Sequence, residues 1–396
     1  MSKLRDNINI VIFTQTFPPE KGGNASRIGD LHKYLRSFGV NASIVSAIET
    51  YPFGSFTREF RLMKRSGDVI RLFTYQPSKN ASSLERALYY TIFPILSVLW
   101  LILKGRDIKI VMVTSPPPQL YIVALIAKLL RKKLIVDIRD LFLDVSVGLG
   151  FIKHGTLVEK LFRFLEHRAL NSADVVTTVT PTTRKRLGNM YGVDPGKCYV
   201  IPNGVDLRLF KCSNSRRYPQ IVYAGYFGHA QDFKTFLRAY SNINDRDKLP
   251  LILAGGGETL QDVLMMAEEL GISRWVKYVG MLRREEVVEL LCSSMIGIAP
   301  IKVHETLKYA IPSKIYEYLA CGLPFIGVGY GEIERVAFES KAGCVGRNPE
   351  EVERCIVEML RSPLRKRAIL GKRYVKRYSR ENSARLFLRV LNLMKA

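Results

Sequence analysis

Few residues in this chain are of the kind that announces metal or redox chemistry. Its six cysteines, Cys198, Cys212, Cys292, Cys321, Cys344 and Cys355, are scattered, with no Cys-x-x-Cys pair and no Cys/His ligand spacing. No metal site is therefore assigned, and reduced, structural thiols in a cytoplasmic protein are expected. Histidine is scarce, five in 396 residues, and His32, His154 and His167 stand alone, which argues against zinc. No Gly-Lys-Ser/Thr closes a P-loop, and no full Gly-x-Gly-x-x-Gly follows the first apolar run, which counts against a nicotinamide dinucleotide. Acidic residues are also short, 36 against 60 Lys and Arg, for a formal charge of +24. An anionic partner is expected: nucleic acid, an anionic membrane surface or phosphorylated substrates. No basic-aromatic RNA-binding signature or recognition-helix motif supports nucleic acid.

Long apolar runs are missing too. One stretch, Ala87 to Leu103, holds 17 residues without a charge, with Pro94 inside. As a helix it measures roughly 25 Å, short of the ~30 Å hydrocarbon core. Three readings stay open: a helix or helical hairpin lying in the membrane surface, a buried core helix, or a span. The basic residues Arg58, Arg61, Lys64, Arg65 and Arg71 nearby favour the surface, each cation adding about 1 kcal/mol at an anionic leaflet. At the N-terminus, Ile8 to Phe13 follows Asp6 and no small-residue cleavage site comes after it, so it reads as a first strand and not a leader.

What is present is a rhythm of short apolar runs and helical patterns, the mark of α/β domains with parallel sheets. Strands are expected at Ile8–Phe13, Asn41–Ser46, Val69–Thr74, Ile108–Thr114, Leu134–Ile138, Val175–Val179 and Tyr199–Ile201. The rhythm restarts at Ile221–Ala224 and continues through Leu251–Leu253, Val276–Val279, Ile296–Ala299 and Phe325–Val328. Pro202-Asn-Gly and the polar stretch 211–220 mark a break, which gives domains 1–203 and 204–378, each doubly wound. The helical tail 379–396 is expected to pack back on the first.

The segment Ala310-Ile-Pro-Ser-Lys-Ile-Tyr-Glu-Tyr-Leu-Ala-Cys-Gly322 carries the most chemistry. Pro312 and Ser313 form a helix start, with Ser313 able to cap it. Lys314 adds a charge to an N-terminus that already favours anions. Glu317, one turn on, has the right acceptor for two ribose hydroxyls. The competing reading is a solvated amphipathic helix. Other strand-end loops agree with the first reading. Gly22 and Gly23 follow the first strand, Gly225-Tyr-Phe-Gly228-His229 opens the second domain, and Gly255-Gly256-Gly257 comes next. Lys302 lies in the loop before the helix, and Gly331-Glu332 precedes a further helix start. Lys302, Lys314 and His229 are expected to converge on one diphosphate. In the first domain Asp137, Arg139 and Asp140 end a strand, either as acceptor-binding groups supporting proton transfer or as a structural Asp–Arg pair. Asp245-Arg-Asp247 has metal-motif spacing but falls on the opposite sheet edge, and reads as a solvated loop.

These motifs together resemble the retaining family 4 glycosyltransferases of the GT-B fold: Phe17-Pro-Pro-x-x-Gly-Gly23, Ser115-Pro-Pro, Asp137-Ile-Arg-Asp-Leu141, Ile201-Pro-Asn-Gly-Val-Asp206, Ala254-Gly-Gly-Gly257 and Pro312 to Gly322. The resemblance runs nearly end to end. It implies two Rossmann-like domains with an interdomain cleft, a UDP- or GDP-sugar donor on the second, and a lipid-linked or cell-envelope glycan acceptor on the first. It matches Glu317 to the ribose ligand, Ser313, Lys314 and Gly23 to positions near the diphosphate, and implies no metal or other cofactor. Transfer with retention is implied, by front-face attack through an oxocarbenium-like state. The donor set carried forward is Gly22, Gly23, Gly228, His229, Gly256, Lys302, Ser313, Lys314, Glu317, Gly331 and Glu332, with Asp140 and Arg139 as the catalytic candidates. The expected location is the inner face of the cell membrane. Three features depart from the pattern. Tyr309 stands where many relatives have a second glutamate, Tyr226 or His229 stands in the arginine region, and Lys234 is a loose match for the usual lysine. A sugar-nucleotide 2-epimerase of the same fold, or a non-enzymatic protein binding anionic lipid or nucleic acid, are the alternatives.

Overall fold

The computed structural model describes residues 8–20, 22–51, 53–79, 81–212 and 216–394; Asp6 and residues 213–215 of the polar stretch lie outside them. The chain forms two compact units, one of residues 1–203 with 380–396 and one of 204–379.

In the first unit the strands are β1 Asn9–Thr14, β2 Asn41–Ala47, β3 Met63–Ser66, β4 Val69–Leu72, β5 Ile110–Ser115, β6 Lys133–Ile138, β7 Val175–Thr178 and β8 Cys198–Val200. The helices are α1 Gly23–Ser37, α2 Ser83–Lys104, α3 Tyr121–Leu129, α4 Phe142–Gly148, α5 Leu157–Ser172 and α6 Pro181–Tyr191. The strands order as β3-β4-β2-β1-β5-β6-β7-β8, all pairs parallel except the β3–β4 hairpin. Parallel strands are buried on both faces, which is why they read as continuous apolar runs. On one face Ile10, Ile12, Ile44 and Ile110 pack with Ile28 and Leu35 of α1. The same core takes Phe387 and Leu391 of the C-terminal helix, which folds back as expected. On the other face Phe13 meets Trp100 of α2 edge-on at 6.0 Å.

Helix α2 is longer than its uncharged stretch. Ser82 and Glu85 form a capping box that starts it earlier, and 22 residues measure roughly 33 Å. Tyr89, Phe93, Ser97 and Leu101, four apart, are its buried side. In the turn before Pro94 the Tyr89 carbonyl accepts from Gln15 Nε2 (3.1 Å) and Thr74 Oγ1 (2.7 Å), so this face is tied into the unit. One cation expected on the surface is not there. Arg71 is 6% exposed, donates to the Ala47 carbonyl and pairs with Glu49 at 2.9 Å.

The second unit contains β9 Ile221–Ala224, β10 Leu251–Ala254, β11 Val276–Tyr278, β12 Ile296–Pro300, β13 Phe325–Val328 and β14 Gly343–Gly346. Its helices are α7 Phe233–Ser241, α8 Leu260–Glu269, α9 Arg284–Ser293, α10 Ser313–Ala320, α11 Glu332–Ser340, α12 Pro349–Arg361 and α13 Leu364–Val375. The tail helix, α14 Arg380–Leu393, belongs to the first unit. The strand order β11-β10-β9-β12-β13-β14 is doubly wound, with the reversal between β9 and β12. The expectation of six reduced thiols is corrected: Cys212–Cys292 and Cys344–Cys355 are disulfides, while Cys198 and Cys321 are free and buried. Spacing along the chain hid this because Cys212 and Cys292 are 80 residues apart, yet folding brings their Cα atoms to 5.5 Å.

Candidate functional site

In open parallel sheets ligands bind beyond the carboxyl ends of the strands, where the winding reverses. In the second unit that point lies between β9 and β12, whose pairing is confined to Ile296 with Ile221 and Gly297 with Val222. Tyr318 of α10 lies along β12 beyond that pairing. Its hydroxyl donates to the Ile298 carbonyl at 3.0 Å, and a Cβ on Gly297 would fall 2.6 Å from its ring. Two strand-end loops are joined here by backbone bonds from Gly225 N to Ala254 O, Phe227 N to Gly256 O and Thr259 N to Phe227 O, each 3.0 Å. The glycines make this approach possible. Gly255 sits at φ +127°, and a Cβ there would lie 1.9 Å from the Gly225 carbonyl oxygen.

Helix α10 begins over this point. The expectation that Ser313 caps it is corrected: Pro312 is the cap residue and offers no side-chain bond, so Ser313 is the first helical residue. The first turn thus keeps amide groups without a side-chain cap, the property that suits an anion. The ammonium of Lys314 rests 3.7 Å from the centroid of the Tyr223 ring, and a Cβ on Gly225 would come within 2.8 Å of it. Desolvation there lowers its pKa to about 7, opposed by the charge of Glu317. Glu317 is half-buried one turn along. The helix ends as expected at Gly322, with φ +66°, where Leu323 N bonds Tyr318 O and Gly322 N bonds Leu319 O.

Around this start lie the other expected groups. Gly228 N–H donates to Gln231 Oε1 at 2.8 Å. His229 Nε2 lies 3.7 Å from Glu258 Oε2. Lys302 is exposed, and its backbone N–H donates to the Ala230 carbonyl, which holds its loop beside His229. Gly256 accepts from Phe227 as described. The α11 start, whose Gly331 and Glu332 were expected to face the same anion, has the amides of both residues engaged. Gly331 N–H donates to Glu334 Oε2, Glu332 N–H to the Lys308 carbonyl, and the Glu332 carboxylate is buried under two bonds from Arg335. The amides of Gly331 and Glu332 are thus taken by the Glu334 carboxylate and the Lys308 carbonyl. Tyr309, in place of a glutamate, has Lys308 Nζ 5.4 Å from its ring centroid.

In the first unit the reversal lies between β1 and β5, and the loop after β1 carries Gly22 and Gly23. Gly22, at φ +140°, is the cap residue of α1, again without a side-chain bond. Sequence reading missed the residue that shapes this loop. Glu20 is 4% exposed and accepts from the amides of Phe17, Thr50 and Tyr51 at 2.8–3.1 Å. Burial raises its pKa to about 7 against these bonds; a lone glutamate after two prolines carries no signal of that role. Asp137 is structural, taking Arg27 at 3.0 Å and Thr177 Oγ1 at 2.6 Å. Arg139 and Asp140 pair with each other at 3.3 Å, Asp140 being 43% exposed. Desolvation, opposed by Asp140, leaves the Arg139 guanidinium below its usual pKa.

Among the described residues, the sulfurs of Cys212, Cys292 and Cys321 lie within 4.8 Å of one another. Two are consumed in a disulfide.

Residues 21–209 match the family model described as Glycosyltransferase Family 4, and residues 218–362 that described as Glycosyl transferases group 1. Among curated proteins the chain is 26% identical over 212 residues to D-inositol 3-phosphate glycosyltransferase of Corynebacterium jeikeium, covering 48% of this chain and 49% of that protein. The chain thus spans about half the length of the curated relatives it matches. Sucrose-phosphate synthase from Thermosynechococcus elongatus superposes with a TM-score of 0.74 at 14% identity, covering 98% of this chain and 99% of that one. HepE of Anabaena, solved in complex with UDP-glucose, superposes at 0.67 and 13% identity, covering 98% and 99%. At these identities the likeness is one of fold.

Proposed function

We propose that the chain, whose first half matches the Glycosyltransferase Family 4 model and whose second half matches the Glycosyl transferases group 1 model, is a GT-B-type glycosyltransferase that moves a sugar from a nucleotide-diphosphate sugar to a lipid-linked or cell-envelope glycan with retention of configuration. The carrying observation is the start of α10, with uncapped amides, a lysine held ready in a low-dielectric place and a carboxylate one turn on. In this reading the α10 amides and Lys314 hold the diphosphate, Lys302 and His229 approach it from the adjoining loops, and Glu317 accepts from the ribose hydroxyls. HepE was solved with UDP-glucose, which supports a uridine nucleotide as the first donor to try. The cationic groups and the helix start offset the leaving-group charge, so no metal is required. Asp140 receives the acceptor hydroxyl, with Arg139 orienting it.

The acceptor and the place of work are part of the same proposal: a peripheral enzyme at the inner face of the membrane, reached through α2. The two disulfides remove the thiol argument for a reducing compartment, and the basic surface facing an anionic leaflet supports this placement instead. A thermal-shift screen against UDP-, GDP- and ADP-sugars tests the donor, since ligand bound to the folded state raises the melting temperature. A shift that disappears in Glu317→Ala supports the reading; no shift with any nucleotide sugar overturns it.

A further inference from the structure

Helix α2 packs on α3, and α3 on α5, as one layer over the first unit's sheet, so their outer sides make one surface. That surface is apolar well beyond the α2 segment. On α2, Leu84, Leu88, Ile95, Leu99 and Ile102 are exposed, repeating at helical spacing on the side opposite Tyr89, Phe93 and Leu101. Leu157, Leu161 and Phe164 on α5 do the same at 83%, 55% and 59% exposure, and Ile122 and Leu129 of α3 lie between. Adjacent exposed apolar side chains on three helices exceed the scattered single residues a soluble surface normally carries.

The charge around them is one-sided. Within residues 83–174, nine lysines and arginines are exposed, among them Arg86, Lys104, Arg131 and Lys160, against two acids with exposed side chains, Asp107 and Asp140, the latter paired with Arg139. Glu85, Glu159 and Asp174 are engaged by a cap, by Arg163 and by Lys128. We propose that the outer sides of α2, α3 and α5 together form a docking surface for an anionic lipid bilayer, lying flat on it without crossing. This extends the membrane part of the proposed function and rests on that part, not on the donor site. The charge selects the occupant. A second copy of this chain would set cations against cations, whereas an anionic bilayer takes both the apolar ridges and the basic surround. The tied inner side of α2 keeps that helix in the plane, because a crossing would require stripping Tyr89 and Phe93 from the core.

The test is sedimentation of the full chain with vesicles of phosphatidylcholine alone, or of phosphatidylcholine with phosphatidylglycerol, at low and high salt. Binding is expected to the anionic vesicles and to weaken with salt. The Ile95→Glu/Leu99→Glu and Leu157→Glu/Leu161→Glu pairs are each expected to lower partitioning by roughly tenfold or more, the transfer of about one buried leucine. If the α5 pair binds as the parent does while the α2 pair fails, the three-helix surface is overturned. Equal binding to neutral vesicles, or no binding with a dimer in solution that the α2 pair dissolves, overturns the anionic bilayer as occupant. Where a charge pair does not fold, Leu99→Cys or Leu161→Cys bearing an environment-sensitive dye reports insertion, and a dye signal unchanged by vesicles counts against the proposal. UDP-induced thermal shift, measured on the same samples, separates this outcome from that of the donor site: either result can fail while the other stands.

Discussion

Lys314 should take up a proton when a nucleoside diphosphate binds. Its pKa in the free protein is about 7 because burial desolvates the ammonium, opposed by Glu317, so at pH 8 only about one molecule in ten carries the charge. A diphosphate at the α10 start favours the charged form. Each pH unit by which it raises the lysine's pKa is worth about 1.4 kcal/mol, or tenfold in affinity. If the bound pKa reaches about 9 or more, uptake approaches ~0.9 proton at pH 8, and affinity falls close to tenfold per pH unit from about 7 to 9. The range starts where the nucleotide's own phosphate, with its second ionisation near about 6, contributes little. Isothermal calorimetry of UDP binding in buffers of different ionisation enthalpy measures the uptake directly. Lys314→Met should bind more weakly at pH 7, take up no proton and show a flat pH profile. The linkage has a counterpart without ligand: the depressed pKa costs stability at and below pH 7, and the cost is relieved as pH rises from about 7 to 10.5. A parent protein whose binding heat is the same in every buffer at pH 8, or whose affinity is constant from pH 7 to 9, would refute the reasoning.

Glu317→Ala should cost about 1.5–3 kcal/mol of UDP affinity, the range for hydrogen bonds to a charged group, and should abolish discrimination between UDP and its 2′-deoxy form; a variant that still discriminates removes the ribose role. Gly255→Ala places a Cβ 1.9 Å from the Gly225 carbonyl at φ +127°, and urea unfolding should show a loss of more than about 2 kcal/mol with the donor shift diminished. Glu20 has a folded pKa near 7, above its ordinary 4.5, so the protonated folded form is favoured and stability falls as pH rises from 4.5 to 7. Glu20→Gln should flatten that limb of the stability–pH curve, and an unchanged slope would show that another group is responsible.

The parallel α/β architecture was legible because strands buried on both faces must be apolar along their whole length, and runs such as Ile8–Phe13 and Ile221–Ala224 appear as strands where they were expected. Two strands were not legible. The β3 segment Met63–Ser66 is almost wholly exposed, and β14, Gly343-Cys-Val-Gly, is half glycine, so neither carries an apolar pattern; only their neighbours in the sheet make them strands. The site divides the same way. Pro312, Lys314, Glu317 and Gly322 lie within one short helix, where spacing along the chain is spacing in space, and a local motif can be read locally. Ser313 was given a cap it does not make because Pro312 already occupies that position.

Sequence alone thus determined the fold class, the helix that starts at Pro312 and Ser313, and the residue types available at its first two turns. Tertiary structure decided what those residues experience. Tyr223, some 90 positions before Lys314 in the chain, provides the ring on which its buried ammonium rests. Glu334 and the Lys308 carbonyl take the amides at the α11 start, and Arg71 leaves the basic surface for the interior. Electrostatic environment depends on distance and dielectric, and both are set by which strands and helices meet, which no single stretch of sequence records.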